Sequence, residues 1–202
     1  MYKKQLKAQK ILCLLAVVVA VILFLYSLGI MTDLYDTLYT TLRIRVEEGG
    51  SLTVSERSVS GAMVYTNMQP FNQWLVKWAI IYILSACLLF VTNTNIRRKY
   101  YIANYVSIGL FAGLSVYISF VAHSYIEYFK AQWLNVDFEA LAEHAEMYNS
   151  AFTKSTMWFD LHYCVFAFMI VAALLLVANC VWKIMLMKDE AKLIAEGKEA
   201  TA

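Results

Sequence analysis

Three histidines, His123, His144 and His162, are the side chains of this chain best suited to chemistry. An imidazole moves a proton near neutral pH or ligates a metal through either ring nitrogen. His123 and His162 stand at the edges of two long apolar stretches. Histidines facing each other across a membrane bundle can hold a haem b, which would make the chain a redox subunit. The same two residues can also be interfacial groups, hydrogen-bonded to lipid headgroups or to acidic neighbours such as Glu127 and Asp160. Acid–base pairs for hydrolysis are few. Asp160 with His162 and Glu143 with His144 are available, but close neighbours in sequence do not face each other on a helix. Cys13, Cys87, Cys164 and Cys180 all fall inside apolar stretches, as small packing residues do, with Cys13 close enough to one end for acylation. Disulfide chemistry across a membrane needs paired cysteines in the connections, and the longer connections contain none. Neither a catalytic motif nor a metal-ligand spacing is present, so no cofactor and no metal ion is expected.

The elements that must position these residues are four apolar runs, about 11–31, 74–92, 101–121 and 163–182. Each is close to the roughly 20 residues a helix needs to cross a hydrocarbon core of about 30 Å. Hydrophobic residues make up 61% of the 202, and charged residues only 16%, against about 25% for a soluble domain. A single Pro and seven Gly leave no flexible linker, and a net charge of +2 gives no reason to expect nucleic acid. The fold class expected is an all-α, four-transmembrane-helix bundle occupying 1–202 as one integral membrane domain. The first run has a basic start but exceeds the length of a signal h-region, and is read as a retained anchor.

Charge sorting orients the bundle. Lys3, Lys4, Lys7 and Lys10, then Arg97, Arg98 and Lys99, then Lys183, Lys188, Lys192 and Lys198 fall on one side. Basic connections stay cytoplasmic. Both termini are therefore expected inside, with connections 32–73 and 122–162 outside and a cytoplasmic tail at 183–202. Trp74, Trp78, Trp133 and Trp158 would line the outer interface and Trp182 the inner one, as amphipathic rings prefer.

Within the first outer connection, Leu42, Ile44 and Val46 alternate with Arg43 and Arg45, Gly49-Gly50 permits a turn, and Leu52 and Val54 alternate again. That pattern predicts a β-hairpin. A lone hairpin is marginal, so it would lean on further strand at Gly61–Tyr65, on the third connection, or on a partner. Pro70 is placed to start the second membrane helix. In the third connection, Asp137 can cap a helix through Ser150 with Phe138, Leu141, Ala142, Ala145 and Tyr148 on one face. The third membrane helix can continue past His123 toward Phe129. Hairpin and short helix together would form a small outer cap.

The centres of the four runs hold no charge; Lys77 lies near one end of its run, where it can snorkel. Ion pathways usually carry charged or strongly polar groups inside the spans, which argues against a stand-alone pump. Gly109-Leu-Phe-Ala-Gly113 matches G-x-x-x-G, and Ser115 and Ser119 extend it. Small residues let helix backbones approach closely in lipid. Ala16 and Ala20 offer a complementary flat surface.

Four spans with a β-containing first outer loop resemble the claudin-like tetraspan plan. The Trp-Gly-Leu-Trp and paired Cys of that family are absent, so its function is not carried over. Tetraspanins are set aside because no Cys-Cys-Gly lies outside, and the chain has no Asn-x-Ser/Thr sequon. A bacterial inner (plasma) membrane is the expected location. The function expected is that of a small accessory subunit, not itself an enzyme, that stabilises or regulates a larger membrane assembly, foremost a transporter complex. Its partners would be the lipid bilayer and other integral membrane subunits, with self-association open. Contacts are assigned to Gly109, Gly113, Ser115 and Ser119, to the turn at Gly49 and Gly50, and to the tail. The alternatives are a haem-binding redox subunit using His123 and His162, and a stand-alone membrane enzyme.

Overall fold

The computed structural model describes residues 2–35, 43–44, 53–54, 59–61, 64–94, 101–148 and 154–199. In chain order the elements are α1 (Tyr2–Tyr35), β1 (Arg43–Ile44), β2 (Thr53–Val54), α2 (Val64–Thr94), α3 (Tyr101–Leu134), α4 (Phe138–Tyr148) and α5 (Met157–Glu199). The helices α1, α2, α3 and α5 are long and apolar enough to cross a membrane. They have 34, 31, 34 and 43 residues, so each outruns its apolar stretch by several turns. Helix is the only open-ended element that satisfies every backbone N–H and C=O without water, which is why apolar runs of this length adopt it. Their outer faces carry Leu14, Leu84, Leu110 and Leu174 in the open, a surface suited to acyl chains.

By packing, the chain falls into two compact units, one of residues 1–22, 80–119 and 166–202, the other of residues 23–79 and 120–165. Each long helix contributes a segment to both.

In the first unit the core is built from Cys13, Ala16, Tyr82, Phe111, Ile118 and Met169. Tyr82 stacks on Phe111 with ring centroids 4.6 Å apart, and its hydroxyl hydrogen-bonds Ser115 at 2.7 Å. A buried polar layer lies in the same unit. Gln9 donates to the Asn93 backbone oxygen at 2.8 Å and to its Oδ1 at 3.1 Å. Asn93 in turn donates to Ser107 at 2.9 Å and Gln5 donates to Gln9 at 2.9 Å. The layer joins α1, α2 and α3 through side-chain hydrogen bonds, the glue available where lipid removes the hydrophobic drive.

The second unit centres on Ile30, Leu75, Ile126, Trp133, Leu141 and Phe159. Gly29 lies directly under the Trp158 indole, and the Tyr26 hydroxyl donates to the Trp158 backbone oxygen at 3.0 Å. Asp137 caps α4, accepting from the N–H groups of Glu139 (3.2 Å) and Ala140 (3.1 Å). Its own N–H donates to the Ser60 oxygen at 2.9 Å. Gly61 turns with φ of +85°, close enough to Val136 that a Cβ would sit 3.0 Å from its Cα.

Several expectations are corrected. Pro70 does not start α2, which begins at Val64 and holds the proline inside it. The absent N–H there removes one intrahelical bond, a cost the rest of a long helix absorbs. The described residues of 61–65 add no strand: Gly61 is a turn, and Val64 and Tyr65 already belong to α2. The outer cap is not supported as a hairpin unit. Pairing is limited to Arg43↔Val54 and Ile44↔Thr53, antiparallel, and the rest of that segment, with Gly49 and Gly50, lies outside the described residues. Trp133 is not part of an interfacial belt. Because α3 continues to Leu134, this indole lies about 18 Å along the axis beyond Val121. There it is fully buried, against Phe138 and Phe159 at centroid distances of 5.4 and 6.0 Å.

Candidate functional site

The two histidines singled out from the sequence meet. His123 Nδ1 and His162 Nε2 are 2.8 Å apart, within hydrogen-bonding distance, with ring centroids 5.1 Å apart. His123 belongs to α3, past its apolar stretch, and His162 to α5, just ahead of its apolar stretch, so two neighbouring helices deliver the pair at the same level. Glu127 follows His123 by four residues on α3 and thus shares its face. Its carboxylate lies 3.8 Å from His162 Nε2 and accepts a hydrogen bond from the Tyr163 hydroxyl at 2.8 Å. One ligand atom from each of His123, Glu127 and His162 lies within 4.8 Å of the others.

The surroundings orient these groups. His162 is fully buried, and its Nδ1 is hydrogen-bonded to the Phe159 carbonyl oxygen. A carbonyl only accepts, so Nδ1 carries the hydrogen and, in the neutral ring, Nε2 presents its lone pair toward His123 and Glu127. Tyr163 stacks beside His162 at a centroid distance of 4.0 Å and meets His123 edge-on at 5.7 Å. Farther along both helices Lys130 donates to Asp160, which also accepts from Thr156 at 2.7 Å. This pair ties α3 to α5 beside the cluster. It also answers the question of an Asp160–His162 dyad: the Asp160 carboxylate is hydrogen-bonded to Lys130 and Thr156, while His162 turns to His123 and Phe159. The side chain of His144 lies outside the described residues.

The small-residue surface divides into two. Ser115 and Ser119 point inward: both are buried, Ser115 bonded to Tyr82 and Ser119 near the Met169 sulfur at 4.0 Å. Gly109 and Gly113 point outward, and a Cβ built on either meets nothing within 4 Å. Ala16 and Ala20 are fully buried. The four cysteines are free thiols, Cys13 buried and Cys87 and Cys164 exposed.

Glu127 was legible as the i+4 neighbour of His123, but its place beside His162 depends on how α3 and α5 pair. Sequence reasoning passed over Gln5 and Gln9, also four residues apart and set among lysines; both are buried. No family model matches the chain, and no curated protein and no solved structure matches it either.

Proposed function

We propose that this chain is an accessory subunit of a larger membrane assembly, foremost a transporter complex, which it stabilises or regulates by docking along one face of α3. The observation that carries the reading is the outward position of Gly109 and Gly113, with open space where their side chains would be. Ile102, Val106, Leu110, Val116 and Tyr117 are exposed on the same helix. Large apolar residues there are equally content in lipid. A flat, glycine-centred strip instead favours a helix backbone that can approach closely. In this reading both termini are cytoplasmic, the membrane is a bacterial inner membrane, and the segment around Gly49 and Gly50 and the tail add contacts outside the bilayer.

The test is affinity purification of the full chain from native membranes after mild solubilisation, with and without Gly113→Leu. Stoichiometric membrane subunits recovered with wild type and lost with Gly113→Leu, at unchanged insertion, support the reading. A complex that survives the change with unaltered affinity rules out this face, and recovery of the chain alone rules out the accessory role.

The haem reading draws on the pairing of His123 and His162. Axial histidines bind iron from opposite porphyrin faces, with ring nitrogens roughly 4 Å apart. Here the nitrogens touch at 2.8 Å, so a porphyrin would have to force the two rings apart. The contact favours a small ion over haem. A Soret band lost in His123→Ala would restore the haem reading; a colourless protein purified with full haem supply ends it.

A further inference from the structure

We propose that His123, Glu127 and His162 form a binding site for a divalent transition-metal cation, with zinc(II) the best match to the donor set. The site joins α3 to α5 and leaves one coordination position open. It goes beyond the accessory role and does not depend on it.

Three features carry the assignment. The donors are two imidazole nitrogens and one carboxylate oxygen, a set that suits zinc and is found with an open fourth position where zinc meets a water or a further ligand. Their spacing is close to that of a coordinated ion. Tetrahedral ligands at about 2.0–2.1 Å from zinc stand about 3.4 Å from one another. His123 Nδ1 and His162 Nε2, at 2.8 Å, need to part by about 0.6 Å on that measure. Glu127 and His162 Nε2, at 3.8 Å, need to close by about 0.4 Å. The His123 and Glu127 donors lie within 4.8 Å of each other and need to close by up to about 1.4 Å; adjustments of this size are met by rotating the side chains about their torsions.

The third feature is the outer layer of partners. Metal-binding histidines usually give their other N–H to a backbone carbonyl or carboxylate, which sets the tautomer and aims the lone pair. His162 does this with the Phe159 carbonyl. The Tyr163 hydroxyl steadies the Glu127 carboxylate in the same manner. Without an ion, the hydrogen on His123 Nδ1 fills the gap by donating to His162 Nε2. Binding requires only that this hydrogen move to Nε2 of the same ring, a tautomer change with no net loss of a proton.

Exposure fits an exchangeable ion: His162 is buried, Glu127 half-buried and His123 exposed, so the site opens toward the side of His123. The site lies just past the apolar stretch 101–121 of α3 and just ahead of the stretch 163–182 of α5.

The experiment uses the full chain in detergent or nanodiscs, carrying no polyhistidine tag, titrated with zinc(II) by calorimetry and with cobalt(II) by visible absorption. One equivalent of zinc should bind, and cobalt should develop the ligand-field bands of a four-coordinate site. His123→Ala, at an exposed position, and Glu127→Gln, at a half-buried one, should each weaken zinc binding tenfold or more while helicity is retained. Tyr163→Phe should weaken it about tenfold through loss of the outer partner. Magnesium and calcium, which prefer all-oxygen sites, should not compete. Absence of stoichiometric zinc binding by the folded wild type overturns the proposal. So does binding that persists undiminished in the folded His123→Ala and Glu127→Gln proteins, which would place the ion elsewhere.

Discussion

The contact between Gly29 and Trp158 offers a quantitative test of how α1 seats against α5, and hence of what holds the helix that carries His162. A Cβ at position 29 would lie 2.1 and 2.2 Å from Trp158 Cη2 and Cζ3, and 3.0 Å from Cζ2. Carbon atoms rest about 3.5–4.0 Å apart, so Gly29→Ala obliges the edge of the indole to retreat by about 1.5 Å. Overpacking of this kind costs about 1–3 kcal/mol, offset by up to about 1 kcal/mol of helix propensity gained on replacing glycine. The net expectation is a loss of about 1–2 kcal/mol. Trp158→Phe removes the benzo ring that carries all three contacting atoms and leaves the backbone oxygen that accepts from Tyr26. In that background Gly29→Ala should be neutral or mildly stabilising, giving a coupling energy of about 1–3 kcal/mol across the double-mutant cycle. Equilibrium unfolding in mixed micelles, followed by circular dichroism, measures all four proteins. A coupling below about 0.5 kcal/mol would show that the indole is not seated on Gly29, and the packing of the second unit would have to be redrawn.

Other consequences are open to direct measurement. Asn93→Leu, close in volume, removes the donor to Ser107 and Leu89 and one acceptor for Gln9, while the backbone oxygen still receives Gln9. It should destabilise the chain in the same unfolding assay by about 1–2 kcal/mol, and an unchanged midpoint would mean that the polar layer contributes nothing. Asp137→Ala should cost about 1 kcal/mol and accelerate hydrogen exchange at the Glu139 and Ala140 amides, with the rest of the chain unaffected. Protection that stays the same at both amides would remove Asp137 as the cap. Gly109→Ala should stabilise the isolated chain by up to about 1 kcal/mol, since its Cβ meets nothing and helix propensity rises; a loss of stability would indicate that this face is already packed.

Much of the architecture is legible without coordinates. The number of membrane-crossing helices follows from apolar run length measured against bilayer thickness, because unpaired backbone groups are not tolerated in hydrocarbon. The cap at Asp137 and the helix it starts are equally local, a short polar side chain ahead of an amphipathic pattern. Helix ends were legible only in part: the sequence allowed α3 to continue toward Phe129, whereas it ends at Leu134. Hydropathy marks where lipid begins and ends, while the extension of α3 past 121 is set by packing in the second unit. Pro70 misled for the same reason, since its restriction is local and the helix that contains it is held by tertiary contacts.

The sequence by itself determined that His123 and Glu127 share a helix face, that Gly109 and Gly113, four residues apart, share one as well, and that four helices are long and apolar enough to cross a membrane. Only the tertiary structure decided which faces turn inward. In a soluble helix a polar stripe marks the solvent side, but these spans are apolar all round, and lipid is as apolar as their core. Nothing local could therefore separate the inward Ser115 and Ser119 from the outward Gly109 and Gly113, the last only two residues from Ser115. The sequence offered His123, His162 and Glu127 as candidate neighbours, but their meeting exists only because α3 and α5 pack at that rotation and that level.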